Sequence, residues 1–457
     1  MGNMINGTMP SVIMNANAAG LDIGSREIWA SVPVSQAEPS VRVFGTFTPD
    51  LYQLADWLVA CHVETVAMES TGVYWIPIFE ILEARGLKVY LVHARYLKNV
   101  PGRKSDYLDC QWIQRLHTLG LLSASFRPEA QMCQLRAYLR HRANLVQHRS
   151  PHVLQMQKAL LQMNLQLSQV VTDITGMTGM AIVRAIVDGE RDALTLARLR
   201  QPTCKSSQET IAKALTGDWK AEQLFILQQA LALYDYYTQL IAACDVQVQQ
   251  QFAAMKPMQA EPPPLDLPTK PSTKSKNAPP ATTRMDLFRL VGVDLVAVPG
   301  ISASLAQTIL SEIGTDMSKW PTAGHFASWL GLAPHNDISG GKILRSRTLP
   351  TDNRAGQAFR QAASTVTRTQ SVFGAFYRRK RTHLGPLQAI VATAHKLART
   401  VYAMLKYHSP YHELGATTYD SQQRERDLTS LRRKAAKLGV ALVIPDLAPE
   451  QPLSSSA

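Results

Sequence analysis

Two hydrophobic periodicities divide the chain. Over roughly the first quarter, apolar positions alternate with polar ones or run in short blocks bounded by Gly, Pro, Asn and Asp. This pattern predicts strands at 19–23, 28–34 and 41–47, a helix over 50–60, and strands at 65–68 and 88–92 on either side of a helix near 76–84. Gly86 stands where the second helix needs its C-cap, just before the strand that follows. From 129 to 255 the period lengthens to that of a helix. Leu135, Leu139, Val146, Leu160 and Leu161 recur on one face, while Arg136, Arg140, Arg142 and Arg149 populate the others. Pro151 predicts a kink or a split in that helix, and 218–252 reads as one further long helix.

Three leading strands followed by alternating helices and strands is the order expected of an RNase H-like sheet. The fold class expected is therefore α/β plus α. An RNase H-like domain would occupy 16–128 and a helical coiled-coil arm 129–255, although a simple helical hairpin accounts for the second pattern as well. Residues 256–284 are rich in Pro, Lys, Ser and Thr and read as a flexible linker. A compact, mostly helical domain is expected over 285–410. A basic tail follows over 411–457, helical around Arg424–Lys434 and disordered in its Ser-rich end.

Composition narrows the partners. Hydrophobic residues make up 46% of the 457 residues and charged ones 18%, the balance of a chain that folds. A formal net charge of +13 points to a polyanion, with nucleic acid ahead of an acidic membrane surface. Apolar runs are too short to span a bilayer, and the N-terminus has no basic segment of the kind a secretory signal carries. The five cysteines are scattered and form no C-x-x-C pair, which argues against a disulfide framework or a zinc site and for a cytoplasmic location.

Carboxylates sit at strand ends and helix starts. Asp22 lies near the end of the first strand, within Gly20-Leu21-Asp22-Ile23-Gly24. Glu69 ends a later strand, within Met68-Glu69-Ser70-Thr71-Gly72, and Asp106 and Asp109 share one face at the start of a helix. Phosphodiester transfer builds negative charge on the attacking and leaving oxygens, and a pair of hard divalent cations held by carboxylate oxygens stabilises both. Taken singly, an Asp after a strand is more often a turn or cap residue, and Asp106 can serve its helix dipole. In this order and number the four are better explained by chemistry.

The second half carries softer signals. Val298-Pro299-Gly300-Ile301-Ser302 before an apolar helix resembles a helix-hairpin-helix turn, whose Gly300 backbone would meet a phosphate; a plain packing turn needs the same glycine. Ser339 precedes Gly340 and Gly341 and is followed by Lys342, Arg345 and Arg347. A polar turn explains that run on spacing alone, and an exposed serine near phosphate is the alternative. Arg378, Arg379, Lys380 and Arg381 adjoin Phe373, Phe376 and Tyr377, a mixture suited to nucleic acid and equally to a solvated charge run beside core aromatics. His395, on the last apolar helix, reads as a core histidine.

These residues together resemble the DEDD transposases of insertion sequences, the insertion-sequence 110 group. The resemblance runs in two blocks. One passes from Leu21-Asp22-Ile23-Gly24 through Met68–Trp75 to Lys104-Ser105-Asp106-Tyr107-Leu108-Asp109. The other passes from Val298-Pro299-Gly300-Ile301 through Gly331-Leu332-Ala333-Pro334 and Ser339-Gly340-Gly341-Lys342 to Ala394-His395-Lys396-Leu397-Ala398. It implies a RuvC-like first domain in which Asp22, Glu69, Asp106 and Asp109 bind magnesium, with manganese as the alternative ion. It also implies a nucleophilic Ser339 and strand exchange through a covalent serine–DNA link. The partners implied are DNA at the element ends and target, a non-coding guide RNA, and further copies of the chain as dimers or tetramers.

Rival readings make different predictions. A junction-resolving nuclease would use the same carboxylates with water as nucleophile. An actin-like sugar or acetate kinase also opens with Asp-x-Gly-Ser but requires a second glycine-rich phosphate loop, which is not found. An architectural DNA binder would have no use for acidic groups beside a polyanion.

Overall fold

The computed structural model describes residues 13–70, 72–92, 106–258, 276–348 and 350–440. Lys104, Ser105, the middle of the linker (259–275) and the serine-rich end (441–457) lie outside the described residues. The chain forms two compact units, Met1–Arg127 and Pro128–Ala457.

In the first unit the period-two segments become β1 (Ala18–Ile23), β2 (Glu27–Ser31) and β3 (Val41–Gly45), followed by helix α1 (Thr48–Ala60), β4 (Thr65–Glu69), α2 (Trp75–Ala84), β5 (Lys88–Val92) and α3 (Asp106–Thr118). The sheet order is β3-β2-β1-β4-β5. β1 pairs antiparallel with β2 and parallel with β4, and β4 pairs parallel with β5. β1 is thus central and covered on both faces. Alternation decides which side chain meets which cover. Leu21, Ile23, Val66 and Met68 join Leu54 and Leu58 of α1 and Ile78 and Leu82 of α2 in one core. Ala67 and Val92 face the other way and pack with Ile113 of α3.

The second unit opens with α4 (Ala130–Gln162). Four shorter helices follow, α5 (Leu167–Val170), α6 (Met177–Val187), α7 (Ala193–Arg198) and α8 (Gln208–Ala214), and then α9 (Ala221–Ala254). Leu145 of α4 packs on Ile241 and Cys244, and Met156 and Leu160 pack near Leu227 and Leu231, so α4 and α9 run antiparallel. The short helices share the core at one end of this pair through Ile182, Ile186, Leu196 and Ile211. The segment is therefore more than a hairpin. α4 also continues through Pro151 without the split its sequence suggested. Proline removes one backbone donor there, while packing along α9 on both sides of it holds the helix together.

Two of the arginines read as face residues are structural. Arg142 is buried and donates to both Asp245 carboxylate oxygens, at 2.6 and 3.1 Å, and Arg149 donates to Thr238 at 3.0 Å while lying over the Tyr234 ring. Arg140 forms a two-pronged pair with the buried Glu312.

The remainder comprises α10 (Thr283–Val291), α11 (Ala303–Ile313), α12 (Ala323–Trp329), a hairpin of β6 (Pro334–Ser339) and β7 (Lys342–Thr348), then α13 (Arg354–Thr365), α14 (Val372–Leu384), α15 (Pro386–Tyr407) and α16 (Gly415–Lys437). Phe326, Phe359, Leu397 and Val401 sit in the core of this region. The hairpin is a correction to the turn read there. Among the described residues, no helix is long and apolar enough to cross a membrane.

Candidate active site

Asp22 and Glu69 occupy successive places on the strands that pair Leu21 with Met68. Because Leu21 and Met68 point at α1 and α2, the residues after them point at α3. The first turn of α3 carries Asp106 and Asp109. Their proximity is felt at Asp22, whose carboxyl rises from 3.8 to about 6. Burial is the largest cause, followed by the negative charges of Asp106, Asp109 and Glu69, against a smaller opposing hydrogen bond from the Ile23 backbone. Asp22 is the half-buried member at the centre, and Asp106 is exposed.

The donor set suits a hard divalent cation: oxygen ligands only, clustered negative charge, and a central carboxylate reluctant to ionise without a counter-charge. The convergence is electrostatic and stops short of ligand geometry. No three His, Cys, Asp or Glu side chains among the described residues are grouped closely enough to hold an ion.

Gly20 makes the approach of α3 possible, and sequence reasoning passed over it. A Cβ at Gly20 would meet Gln114 N at 2.3 Å and Cys110 O at 2.4 Å, both backbone atoms of α3. The far end of α3 is fixed by His117, whose Nε2 contacts Thr65 Oγ1; burial, and then Lys88, lower its pKa to about 4 and keep the ring neutral. Replacing Gly20 by Ala must lift α3 off β1. We expect a loss of about 1–3 kcal/mol in thermal unfolding, together with loss of the Asp22 perturbation as read by NMR titration of its carboxyl. An unchanged Asp22 titration in Gly20→Ala would contradict this account of how the cluster is assembled.

Ser339 belongs to the second unit and ends β6 at the hairpin tip. Gly340 (φ 56°) and Gly341 (φ 76°) form a two-residue turn with both angles positive, a conformation side chains resist. The cross-strand pairs are Ser339 with Lys342, Ile338 with Ile343, Asp337 with Arg345 and His335 with Arg347. The register shift between Asp337 and Ile338 leaves Leu344 as an extra residue on β7. Without it, Arg345 and Arg347 would lie on the opposite face from Lys342. With it, Ser339, Lys342, Arg345 and Arg347 share one face, and Ile338 and Ile343 occupy the other. All are exposed. Inserting one residue between Asp337 and Ile338, opposite Leu344, should restore regular pairing, turn Arg345 and Arg347 away from Ser339, and weaken binding of a DNA duplex by about tenfold in anisotropy titrations; equal affinity would sink the one-face arrangement.

The other expected contacts are placed less simply. Gly300 (φ 88°) lies against α13, where a Cβ would come within 2.6 Å of Ala362 O, so packing alone accounts for the glycine. In the basic run, Arg378 donates to Thr369 O at 2.9 Å, Arg379 pairs with Asp427 at 3.1 Å, Lys380 lies 5.7 Å from the Phe376 ring, and Arg381 is exposed. His395 is half-buried and its pKa is lowered by burial and by Arg399.

Comparison with known proteins agrees with the two-block pattern. The DEDD transposase model of the IS110 group, described as "Transposase", matches residues 19–165, and the model described as "Transposase IS116/IS110/IS902 family" matches residues 294–378. A curated relative from Mycobacterium paratuberculosis, "Insertion element IS900 uncharacterized 42 kDa protein", is 32% identical over 127 residues, covering 27% of this chain and 31% of the relative. The shared region thus spans less than a third of that relative's length.

Proposed function

From a chain that belongs to the IS110 group of insertion-sequence transposases, we propose an enzyme that cuts and rejoins DNA strands at the ends of a mobile element. The observation that carries this reading is the placement of Asp22 and Glu69 at successive positions on the paired strands β1 and β4, on the side covered by α3, whose first turn carries Asp106 and Asp109; the Asp22 carboxyl, raised to about 6, agrees with it. Four carboxylates from two strands and a helix act on one another electrostatically around a half-buried Asp22, an arrangement that favours a functional site over a solvated surface. The sheet order, with β1 central, favours a RuvC-like first domain over 16–128, and the antiparallel α4–α9 pair favours a coiled-coil arm over 129–255. The same reading extends to a linker over 256–284, a C-terminal domain over 285–410 and a basic tail over 411–457.

Asp22, Glu69, Asp106 and Asp109 would hold the metal, magnesium or manganese. When bound, it would stabilise charge on the attacking and leaving phosphoester oxygens. The remaining parts belong to the protein. Ser339 stands at a tip where Gly340 and Gly341 let backbone approach phosphate closely, and Lys342, Arg345 and Arg347 sit on the face that would receive the strand. In the transfer step the Ser339 Oγ–P bond forms as one P–O ester bond of the strand breaks, and the leaving strand oxygen takes up a proton. One phosphoester replaces another, so rejoining needs no nucleotide hydrolysis, whereas attack by water would forfeit that bond. The group's non-coding guide RNA and its dimers or tetramers are part of the same reading.

The test is covalent trapping. The protein is mixed with labelled element-end DNA, RNA transcribed from the flanking sequence, and magnesium, then denatured and separated. We expect protein-bound label that disappears in Asp109→Ala. Metal-dependent cleavage with no adduct would instead establish the junction-type nuclease.

A further inference from the structure

Away from the serine hairpin, a cleft of about 850 Å³ opens between α14, α15 and α16, and neither strand of the hairpin lines it. Among the described residues, its wall holds five lysines and arginines, two histidines and five aromatic rings, and no carboxylate. Lys396 is central, with its ammonium 4.3 Å from the Tyr419 ring centroid and 4.7 Å from that of Phe376. Two carboxylates lie nearby, and one of them serves a wall cation. Glu413 accepts from the backbone of Val372 and Gly415 and from the Tyr411 hydroxyl, at 2.9, 3.0 and 2.6 Å, and Asp427 pairs with Arg379. Burial, and then Arg426, bring the Lys396 pKa down to about 8, against a smaller opposing effect of Glu413.

Arg379 has its counter-charge in Asp427, while Lys380, Lys396, Arg399 and Arg426 form no ion pair among the described residues; gathering those four in a half-buried cleft costs stability, so the arrangement suits a ligand that brings negative charge. A simple anion would reach the cations but not the ring faces that Lys396 does not cover, and an apolar ligand would leave Lys396, Arg399 and Arg426 without an anion. Flat π-faces joined to phosphates satisfy both. We propose that this cleft binds a nucleotide of a single-stranded nucleic acid, its phosphate on Lys396, Arg399 and Arg426 and its base against Tyr419 or Phe376. It rests on the strand-transfer reading for the source of such strands, which are either a displaced DNA strand or an unpaired stretch of RNA.

The experiment uses the full chain and fluorescein-labelled oligo(dT) and oligo(U) of about 12 nucleotides, beside a blunt DNA duplex, in anisotropy titrations. The variants are Lys396→Gln and Tyr419→Ala. Tyr419 lies on α16, whose one buried residue is Ala416, so its removal leaves the core intact. Each variant should lose about tenfold or more in affinity for single strands and keep its duplex affinity, and the more affected oligonucleotide identifies the source. Variants that bind both oligonucleotides like the parent, or that lose single-strand and duplex affinity equally, overturn the proposal and leave the strand-transfer reading standing. A parent chain that binds no nucleic acid overturns both.

Discussion

Asp22→Asn should raise the melting temperature at neutral pH and, in the same protein, reduce metal-dependent strand cleavage by about a thousandfold or more, the scale of removing a preorganised electrostatic element. The two effects have one cause. Asp22 is placed among Glu69, Asp106 and Asp109 on the α3 side of the sheet, where burial and like charge favour its protonated form. Its pKa is higher in the fold, about 6, than the ordinary 3.8, so folding binds the proton more tightly. Below the ordinary value the carboxyl is protonated in both states and costs nothing. The cost grows as pH rises between the two values and is complete above the folded one. Asparagine removes that cost, so the gain in melting temperature should be a few degrees at pH 7 and vanish near pH 3. Magnesium should stabilise the parent at pH 7 and do less for the variant, because the central charge it would neutralise is gone. A variant that melts lower at pH 7, or that cleaves at the parental rate, would show that Asp22 is an ordinary strand residue.

Ser339→Ala should abolish the covalent adduct and strand transfer without changing the melting temperature. Ser339 is exposed at a hairpin tip and its hydroxyl makes no hydrogen bond among the described residues, so alanine removes one oxygen and no packing. Duplex binding should persist, since Lys342, Arg345 and Arg347 remain on the same face. The junction-nuclease reading requires the reverse for chemistry: with water as nucleophile, Ser339→Ala cuts as well as the parent. Gel separation of labelled DNA after denaturation decides between them. Adduct surviving in Ser339→Ala would assign the nucleophile to another side chain.

Much of the architecture was legible because it follows from local periodicity. Alternation in 18–45 and the helical period in α4 and α9 are written in consecutive residues, and a strand or helix that buries one face has little choice about which residues it buries. Asp22, Glu69, Asp106 and Asp109 stood out for the same reason, as charges at the ends of apolar segments. The hairpin at 334–348 was legible too and was missed: Gly340-Gly341 between short alternating runs is a two-residue turn signal, obscured by the surrounding polar residues. Pro151 does not split its helix because its cost is local, whereas the packing that offsets it is spread along α9.

By itself, then, the sequence determined most of the element types and the identity of the candidate reacting groups, all properties of short stretches. Only the tertiary structure decided what those groups feel. Gly20 matters because the α3 backbone lies against it, and α3 is about ninety residues further along the chain. The rise of Asp22 depends on charges contributed by two other segments, β4 and α3, and the cationic face beside Ser339 depends on a register shift that leaves Leu344 outside the pairing. Coulomb interaction and steric exclusion act through distance in space, and the order of residues along a chain does not contain that distance until the chain has folded.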